Sequence, residues 1–240
     1  MPENSKFPIL LIPGVIAPAY GKFWEYFYKI PQFLTQELGY KVYVCPLPKW
    51  GDYKTRSEIL KNFIQKKLPQ QKFHIIAHSK GGVEARYLLE QNLFLDQIAS
   101  FTSISCPYNG STAASFFYKL FYPLKWLSYF KPLMDSLYEL QPRFYQKLWT
   151  KNENDYSFPI KYVCAQIPKP ILFKTYPLFW LTSYLINKNE GSNDGFVSKQ
   201  STQFGTLIAE YKTDHIGLIG QFYGKTRGFS YIEVYRKILD

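Results

Sequence analysis

One stretch constrains the fold of this 240-residue chain more than any other, because residues 72–89 change from a strand pattern to a helix pattern at a single serine. The first part is short, apolar and β-branched, and the second part repeats apolar residues on one helical face. Ser79 lies at the change, within Ala77-His78-Ser79-Lys80-Gly81. A serine in so sharp a turn has a strained backbone and needs small neighbours, which Ala77 and Gly81 supply. The stretch therefore predicts a strand, a nucleophile elbow and a helix.

The rest of the chain alternates between the same two patterns. Six apolar runs predict buried strands, at residues 7–12, 40–45, 73–78, 98–106, 161–167 and 207–212. Helical patterns separate them, including residues 23–38, 55–68 and a final helix at 229–239. Strands that alternate with helices form βαβ units. We therefore expect one α/β domain over residues 1–240, with a mostly parallel sheet and helices on both faces.

Two aromatic segments interrupt this alternation. Residues 111–149 are rich in Phe, Tyr, Trp, Leu and Lys, and Pro123, Pro132 and Pro142 divide them into several short helices. The first cap segment is predicted to cover about residues 111–160. A second aromatic segment covers residues 168–188. Lys119, Lys125 and Lys131 leave no run of the roughly eighteen apolar residues that a membrane span needs. Both segments are predicted to form a helical cap, which could simply cover the sheet or could act as a lid with an apolar underside.

The charge balance limits the kinds of partner. A net charge of +11 favours an anionic partner, but the chain has no long basic run and no nucleic-acid-binding motif. Together with 21 Tyr and 20 Phe, the charge favours an anionic lipid surface over nucleic acid. The first residues lack the pattern of a secretory signal, so we expect a cytoplasmic or peripherally membrane-associated protein. The three cysteines are expected to be buried thiols.

A serine hydroxyl needs a base, and the chain offers three histidines. His74 lies on the predicted strand, and His78 is adjacent to Ser79, where its ring should point away from the hydroxyl. On an elbow scaffold the order along the chain is serine, acid, histidine. His215 alone follows Ser79 with an acidic residue between them, so it is the predicted base.

The acid is less constrained than the base. Asp194 lies in a turn-rich loop shortly before His215 and is the best candidate, with Asp155 second. The other aspartates are less well placed, namely Asp96, Asp135 and Asp214. Backbone amides must also stabilise an oxyanion, and the N–H groups of Lys80 and Val15 are the expected donors.

Several blocks in this order resemble bacterial triacylglycerol lipases and esterases of the α/β-hydrolase fold. They are Pro13-Gly14, residues 77–82, Ser105-Cys106-Pro107-Tyr108-Asn109-Gly110-Ser111, residues 193–198 and Asp214-His215. The resemblance implies a serine ester hydrolase for lipid-like acyl esters, without a cofactor, in which Ser79, Asp194 and His215 form the triad. A phospholipase or an acyltransferase would use the same residues. A catalytically silent lipid-binding protein of the same fold is the alternative from another class.

The chain departs from the family pattern at several positions. Pro13-Gly14 replaces the usual His-Gly, and Ala77 replaces the commoner glycine of the elbow. Gly217 stands where many secreted members have a calcium-binding aspartate, so no metal site is carried over. Lys80 is unusual between the serine and the glycine pair, and we expect it to be exposed to solvent, with contact to an anionic head group as the alternative. Arg86 is expected to have a structural role.

Overall fold

A computed structural model describes residues 6–15, 25–145, 148–167, 177–221 and 228–240. Its centre is a six-stranded sheet in the order β2-β1-β3-β4-β5-β6, in which each neighbouring pair is parallel. The strands are Ile9–Ile12 (β1), Val42–Val44 (β2), Phe73–His78 (β3), Ile98–Ile104 (β4), Ile160–Ala165 (β5) and Thr206–Tyr211 (β6). The mostly parallel sheet predicted from the sequence is confirmed by this topology.

Eight α-helices are described in the same residues. They are Ile30–Gln36 (α1), Tyr53–Lys67 (α2), Lys80–Glu90 (α3), Thr112–Phe121 (α4), Lys131–Glu139 (α5), Pro142–Tyr145 (α6), Pro177–Glu190 (α7) and Tyr231–Leu239 (α8). Side-chain caps fix two of the starts, because the Asp52 carboxylate accepts from the Thr55 N–H at 2.9 Å and the Ser111 hydroxyl from the Ala113 N–H at 3.1 Å.

The central strands are buried on both faces because helices cover both sides of the sheet. On one face Leu10, Ile12 and Ile75 pack with Leu60 and Ile64 of α2. On the other face Ile9, Leu11 and Ile76 pack with buried residues of α1 and α8, among them Phe33 and Val234. Successive residues of a strand point to opposite faces, so an unbroken apolar run is what a doubly covered strand requires.

Most predicted elements lie where the sequence indicated, with shifted ends. The strand at residues 73–78 is found with its predicted bounds, and β1 and β4 are shorter than predicted. The predicted helix at residues 23–38 is wrong in extent, because α1 begins only at Ile30 and follows Lys29, whose φ of 55° is left-handed. Residues 23 and 24, and 168–176 of the second aromatic segment, lie outside the described residues.

The two cap segments contain α4, α5, α6 and α7, with short 3₁₀ turns at Tyr122–Leu124 and Ser128–Phe130. The cap boundaries and the single domain over residues 1–240 stay predictions. No helix in the described part of the chain is long and apolar enough to cross a membrane. Cys45, Cys106 and Cys164 are free and buried, as the sequence predicted.

Candidate active site

Ser79 occupies the turn between β3 and α3 in a strained conformation. Its φ of 55° and ψ of −134° are rare for a residue with a side chain, and such conformations cost about 1–3 kcal/mol. The surrounding structure holds the residue there, since the Ser79 N–H donates to the Ile104 carbonyl of β4 at 3.0 Å. The turn leaves the hydroxyl at the carboxyl end of the parallel sheet, where ligands bind in open α/β folds.

Two glycines allow the main chain to approach the elbow closely. A Cβ added to Gly81 would lie 2.6 Å from the Ile12 carbonyl oxygen, so the small residue that the motif requires makes room for the end of β1. A Cβ added to Gly14 would lie 2.7 Å from the Ser79 Cβ. The loop after β1 therefore packs directly against the serine, and half-buried Val15 follows in that loop.

The three predicted triad residues lie within hydrogen-bonding distance of one another. The His215 Nε2 is 2.9 Å from the Ser79 Oγ, and the His215 Nδ1 is 2.7 Å from the Asp194 Oδ2. A carboxylate can only accept, so Nδ1 carries the proton and Nε2 is free to accept from the serine hydroxyl. All three side chains are largely removed from solvent, with residue exposures of 8% for Ser79, 6% for His215 and 0% for Asp194.

Asp194 is held in place by its own loop. Its Oδ1 accepts from the Phe196 N–H at 2.9 Å and from the Val197 N–H at 2.7 Å, which leaves Oδ2 for the histidine. The His215 N–H donates to the Asp194 carbonyl at 2.9 Å, so the two loops are also joined through the main chain. This arrangement fixes the direction of the carboxylate toward the ring.

The other candidate acids are engaged elsewhere. Asp155 accepts from the Asn152 N–H at 2.7 Å in a capping box. Asp135 pairs with Lys131 on the surface of α5. Asp214 accepts from the Ile216 and Gly217 N–H groups at 3.1 and 2.8 Å, and burial raises the pKa of its carboxyl above the usual range. Asp96 lies in the 3₁₀ turn at the amino end of β4, whereas Ser79 follows the carboxyl end of the parallel strand β3.

His78 contacts His215 and Tyr26. Among the described contacts it has no hydrogen bond to the Ser79 hydroxyl. Its Nε2 is 3.1 Å from the His215 carbonyl oxygen, so this nitrogen must carry the proton, and Nδ1 then accepts from the Tyr26 hydroxyl at 2.7 Å. Burial, followed by the nearby His215, holds the pKa of His78 well below its usual range. His78 is therefore a neutral ring that connects His215 to the end of β3.

The expectation that Lys80 is exposed is wrong. The side chain is 0% exposed, and its Nζ lies 2.9 Å from Glu84 Oε1 and 3.3 Å from Glu139 Oε2. It also donates to the Gly51 carbonyl at 3.1 Å, so it is not available to an external head group in this arrangement. The physical reason is that a buried ammonium needs several acceptors, and α5 of the cap together with Glu84 of α3 provides them.

A second cation shares this buried network. Arg56 of α2 contacts Glu84 Oε1 through Nε at 2.7 Å and donates through Nη2 to the Pro13 and Gly14 carbonyls at 3.1 and 3.0 Å. It thereby fixes the main chain that leads to Val15. The sequence did not predict a role for Arg56, because an arginine in a helix is normally a surface residue and no local pattern indicates its burial.

Arg86 has a structural environment, in agreement with its predicted role. Its guanidinium lies 3.8 Å from the Phe204 ring centroid and 4.5 Å from that of Trp149. It donates to the Lys151 carbonyl at 3.0 Å. These contacts join the elbow helix α3 to the chain segments that precede β5 and β6.

The start of α3 suits the stabilisation of an anion. Lys80 is the first residue of the helix, so its N–H is one of the amides without an acceptor inside the helix, and the helix dipole is positive at this end. In the described ranges no group of three or more His, Cys, Asp or Glu residues could hold a metal ion. The groups that the described residues bring together at Ser79 are a hydroxyl, an imidazole and a carboxylate, beside the free backbone amides at the start of α3.

The sheet order and the elbow are those of the α/β-hydrolase fold predicted from the sequence, and a solved structure confirms this fold. The structure of a Bacillus licheniformis lipase in its mature form superposes with a TM-score of 0.72 at 19% identity, covering 100% of this chain and 94% of that one. No model of a protein family matches the chain.

Sequence relatives point in the same direction. The chain is 29% identical over 209 residues to triacylglycerol lipase 2 of Saccharomyces cerevisiae, covering 81% of this chain and 62% of that protein. It is 32% identical over 114 residues to a triacylglycerol lipase of Pseudomonas fragi, covering 46% of this chain and 38% of that protein. The chain thus spans less than two thirds of the length of either relative, and its similarity is to lipases and esterases.

Proposed function

We propose that the protein is a serine carboxylic ester hydrolase that cleaves lipid-like acyl esters through an acyl-enzyme intermediate. The observation that carries the proposal is the unbroken line of hydrogen bonds from Ser79 through His215 to Asp194, at 2.9 and 2.7 Å. The similarity to triacylglycerol lipases supports the ester class.

Each residue has one role in the proposed reaction. His215 Nε2 takes the hydroxyl proton as the Ser79 Oγ attacks the ester carbonyl, and Asp194 stabilises the imidazolium that forms. The carbonyl oxygen becomes an oxyanion, which accepts hydrogen bonds from the N–H groups of Lys80 and Val15. The imidazolium returns its proton to the leaving alcohol, and the C–O bond of the ester breaks. Water, deprotonated by His215, then releases the acyl group from Ser79.

An aromatic row beside the triad suits an acyl chain. The Phe196 ring lies 5.5 Å from the His215 ring and stacks on Phe117 at 6.2 Å, and Phe117 stacks on Phe121 at 6.2 Å, all measured between centroids. These rings are half-buried, and Phe117 and Phe121 lie one turn apart on α4, so the row leads from His215 along this cap helix. An apolar path of this kind would favour substrates with hydrocarbon chains over small polar esters.

Residues 119–131, which we call the outer cap, suit contact with an anionic lipid surface. Trp126 is 83% exposed and Tyr129 is 89% exposed, and Leu120 and Leu127 are more than half exposed. Lys119 and Lys131 are exposed beside these residues. Aromatic and basic residues together favour the interface of a membrane that contains acidic lipids. We propose that the substrate reaches the enzyme at such a surface.

Hydrolysis of p-nitrophenyl esters tests the proposal. The protein should release p-nitrophenol from butyrate and octanoate esters, and Ser79→Ala should lower kcat/KM by roughly 10⁶-fold. Ser128→Ala, in an exposed turn of the cap, is the matched control and should retain the full rate. A folded parent protein that releases no p-nitrophenol from either ester would contradict the proposal.

The same triad could transfer the acyl group to an alcohol instead of water. Product analysis with glycerol or a lysophospholipid as acceptor separates the two outcomes, because a transferase would yield a new ester and little free acid. A silent lipid-binding protein would bind vesicles yet show neither product.

A further inference from the structure

The cap helix α5 contacts the loop before α2 through buried polar groups. The Gly51 N–H donates to the Ser136 hydroxyl at 2.9 Å, and that hydroxyl donates back to the Gly51 carbonyl at 2.8 Å. One turn further, Glu139 Oε2 accepts from the Tyr53 N–H at 2.7 Å. The carboxyl end of α5 is therefore docked by directional contacts, whereas its first residues, Lys131 and Pro132, are exposed.

Lys80 connects this docked end to the elbow. Its Nζ lies between Glu84 Oε1 of its own helix, at 2.9 Å, and Glu139 Oε2 of the cap, at 3.3 Å, with both Lys80 and Glu84 side chains 0% exposed. Glu84 has a second cationic partner in Arg56, whose Nε is 2.7 Å away. Loss of Lys80 would thus leave Glu84 paired, but it would remove the cation that contacts Glu139.

We propose that the Lys80–Glu139 pair is a latch that holds cap helix α5 onto the nucleophile elbow. The pair spans two parts of the chain that the parallel sheet does not join, so its formation depends on the position of the cap. Breaking a buried pair by removal of one partner is costly, because the other charge stays buried without compensation, whereas replacement of both partners is tolerated far better. The latch therefore predicts a rescue by the second substitution.

The latch should also respond to pH. Burial raises the pKa of Glu139 to about 7, against the attraction of Lys80 and the hydrogen bond from Tyr53. The charged or titratable groups around it are Lys80, Glu84, Asp52, Tyr53 and Tyr145. If the cap undocks, the carboxyl returns to water and to its ordinary range, so the docked state binds the proton more tightly. Docking is then strongest at acid pH, where the neutral Glu139 carboxyl still accepts from Lys80 and from the Tyr53 N–H. It weakens as pH rises toward about 7, because Lys80 offsets only part of the cost of the buried carboxylate, and without Lys80 that cost would be larger.

The consequence for catalysis rests on the proposed function. The Lys80 N–H is the proposed oxyanion donor, and the Lys80 side chain would tie that amide to the cap. Undocking would then loosen the donor and open the aromatic row at once. The docking itself does not depend on Ser79 being a nucleophile, so it can be measured by a method that needs no substrate.

Hydrogen–deuterium exchange of the whole protein tests the latch. Peptides that cover Lys131–Glu139 report on docking, and peptides that cover Ile98–Ile104 report on global stability. At about pH 8, Lys80→Met should speed exchange in α5 by roughly tenfold or more while β4 is unchanged, and adding Glu139→Gln should restore most of the protection. Lys131→Met and Asp135→Asn, which break an exposed pair of 2.8 Å in the same helix, are the matched controls and should change nothing.

The outcomes decide between a latch and ordinary packing. Unchanged α5 exchange in Lys80→Met, or no rescue by Glu139→Gln, would overturn the proposal. If Lys80→Met unfolds β4 as well, Glu139→Gln alone decides. After correction for the pH dependence of the intrinsic exchange rate, the parent should lose α5 protection between about pH 5 and about pH 8. This loss should be absent in Glu139→Gln, which has no carboxyl to titrate. A variant that keeps the parent's pH dependence would also overturn the latch.

Labelling with a fluorophosphonate, run on the same samples, tests the proposed function separately. An unlabelled protein with a normal α5 response would leave the latch standing and remove only the hydrolase. A labelled protein without the α5 response would remove only the latch.

Discussion

The elbow and the outer cap are built in opposite ways. Around Ser79 the backbone is strained and glycines let main-chain atoms approach closely. Short directional hydrogen bonds join Ser79, His215 and Asp194. In the outer cap the large residues are exposed, with Trp126 at 83% and Tyr129 at 89%. The first region tolerates almost no change of shape, while the second is a surface whose composition matters more than its geometry.

This difference predicts which property a substitution in each region should change. Changes at the elbow should alter rate or stability strongly, because they disturb atoms with fixed partners. Changes in the outer cap should leave the folded state nearly unchanged and alter only what the surface binds. The following predictions test that division, from the largest effect to the smallest.

Asp194→Asn should keep the fold and lower the rate strongly, although less than Ser79→Ala. The amide can donate where the carboxylate only accepts, so His215 would adopt the wrong tautomer and kcat would fall by roughly 10⁴-fold. Ester hydrolysis under saturating substrate measures it. Asp155→Asn, at the second candidate acid, is the control and should retain the parent rate. A parent-like rate in Asp194→Asn would assign the role to another carboxylate.

Gly81→Ala should lower both stability and activity. The new Cβ would lie 2.6 Å from the Ile12 carbonyl oxygen and 2.7 Å from that of Pro13, and both are main-chain atoms. Overpacking of this kind costs about 1–3 kcal/mol in the free energy of unfolding. Urea denaturation and the rate per folded molecule measure the two effects. Gly39→Ala meets no atom within 4 Å and should leave the rate per folded molecule unchanged. An active Gly81→Ala protein of normal stability would contradict the close packing.

Tyr26→Phe should destabilise the folded protein by about 1–3 kcal/mol, because it leaves the buried Nδ1 of His78 without its partner. Denaturation by urea gives this difference directly. Tyr129→Phe removes a hydroxyl from a residue that is 89% exposed and should have no measurable effect. Equal changes in the two variants would mean that the hydrogen bond between Tyr26 and His78 does not contribute to stability.

Trp126→Ala should have the smallest effect on the fold, within about 0.5 kcal/mol, because the ring is mostly in solvent. It should nevertheless weaken sedimentation with vesicles that contain phosphatidylglycerol. Phe101→Ala, at a fully buried position, should instead lower the free energy of unfolding by about 3–5 kcal/mol. Unchanged vesicle binding in Trp126→Ala would place the lipid contact elsewhere.

The same division decides what could be predicted from sequence. Phe73–His78 and the turn at Ser79 could be predicted because short-range constraints, an apolar run and a small-residue motif, specify them. The proximity of His215 and Asp194 followed from chain order on a known scaffold. Lys80, Arg56 and Tyr26 could not be predicted, because their burial depends on partners from distant elements. The short α1 depends on a left-handed Lys29 that no local pattern signals.

Fluorophosphonate labelling followed by peptide mass spectrometry tests the central claim most directly. The probe forms a bond only with an activated serine, so the account predicts one adduct, on the peptide that contains Ser79. The adduct should be absent in Ser79→Ala and slow to form in His215→Gln. A folded parent protein that stays unlabelled, or an adduct that persists in Ser79→Ala, would contradict the account.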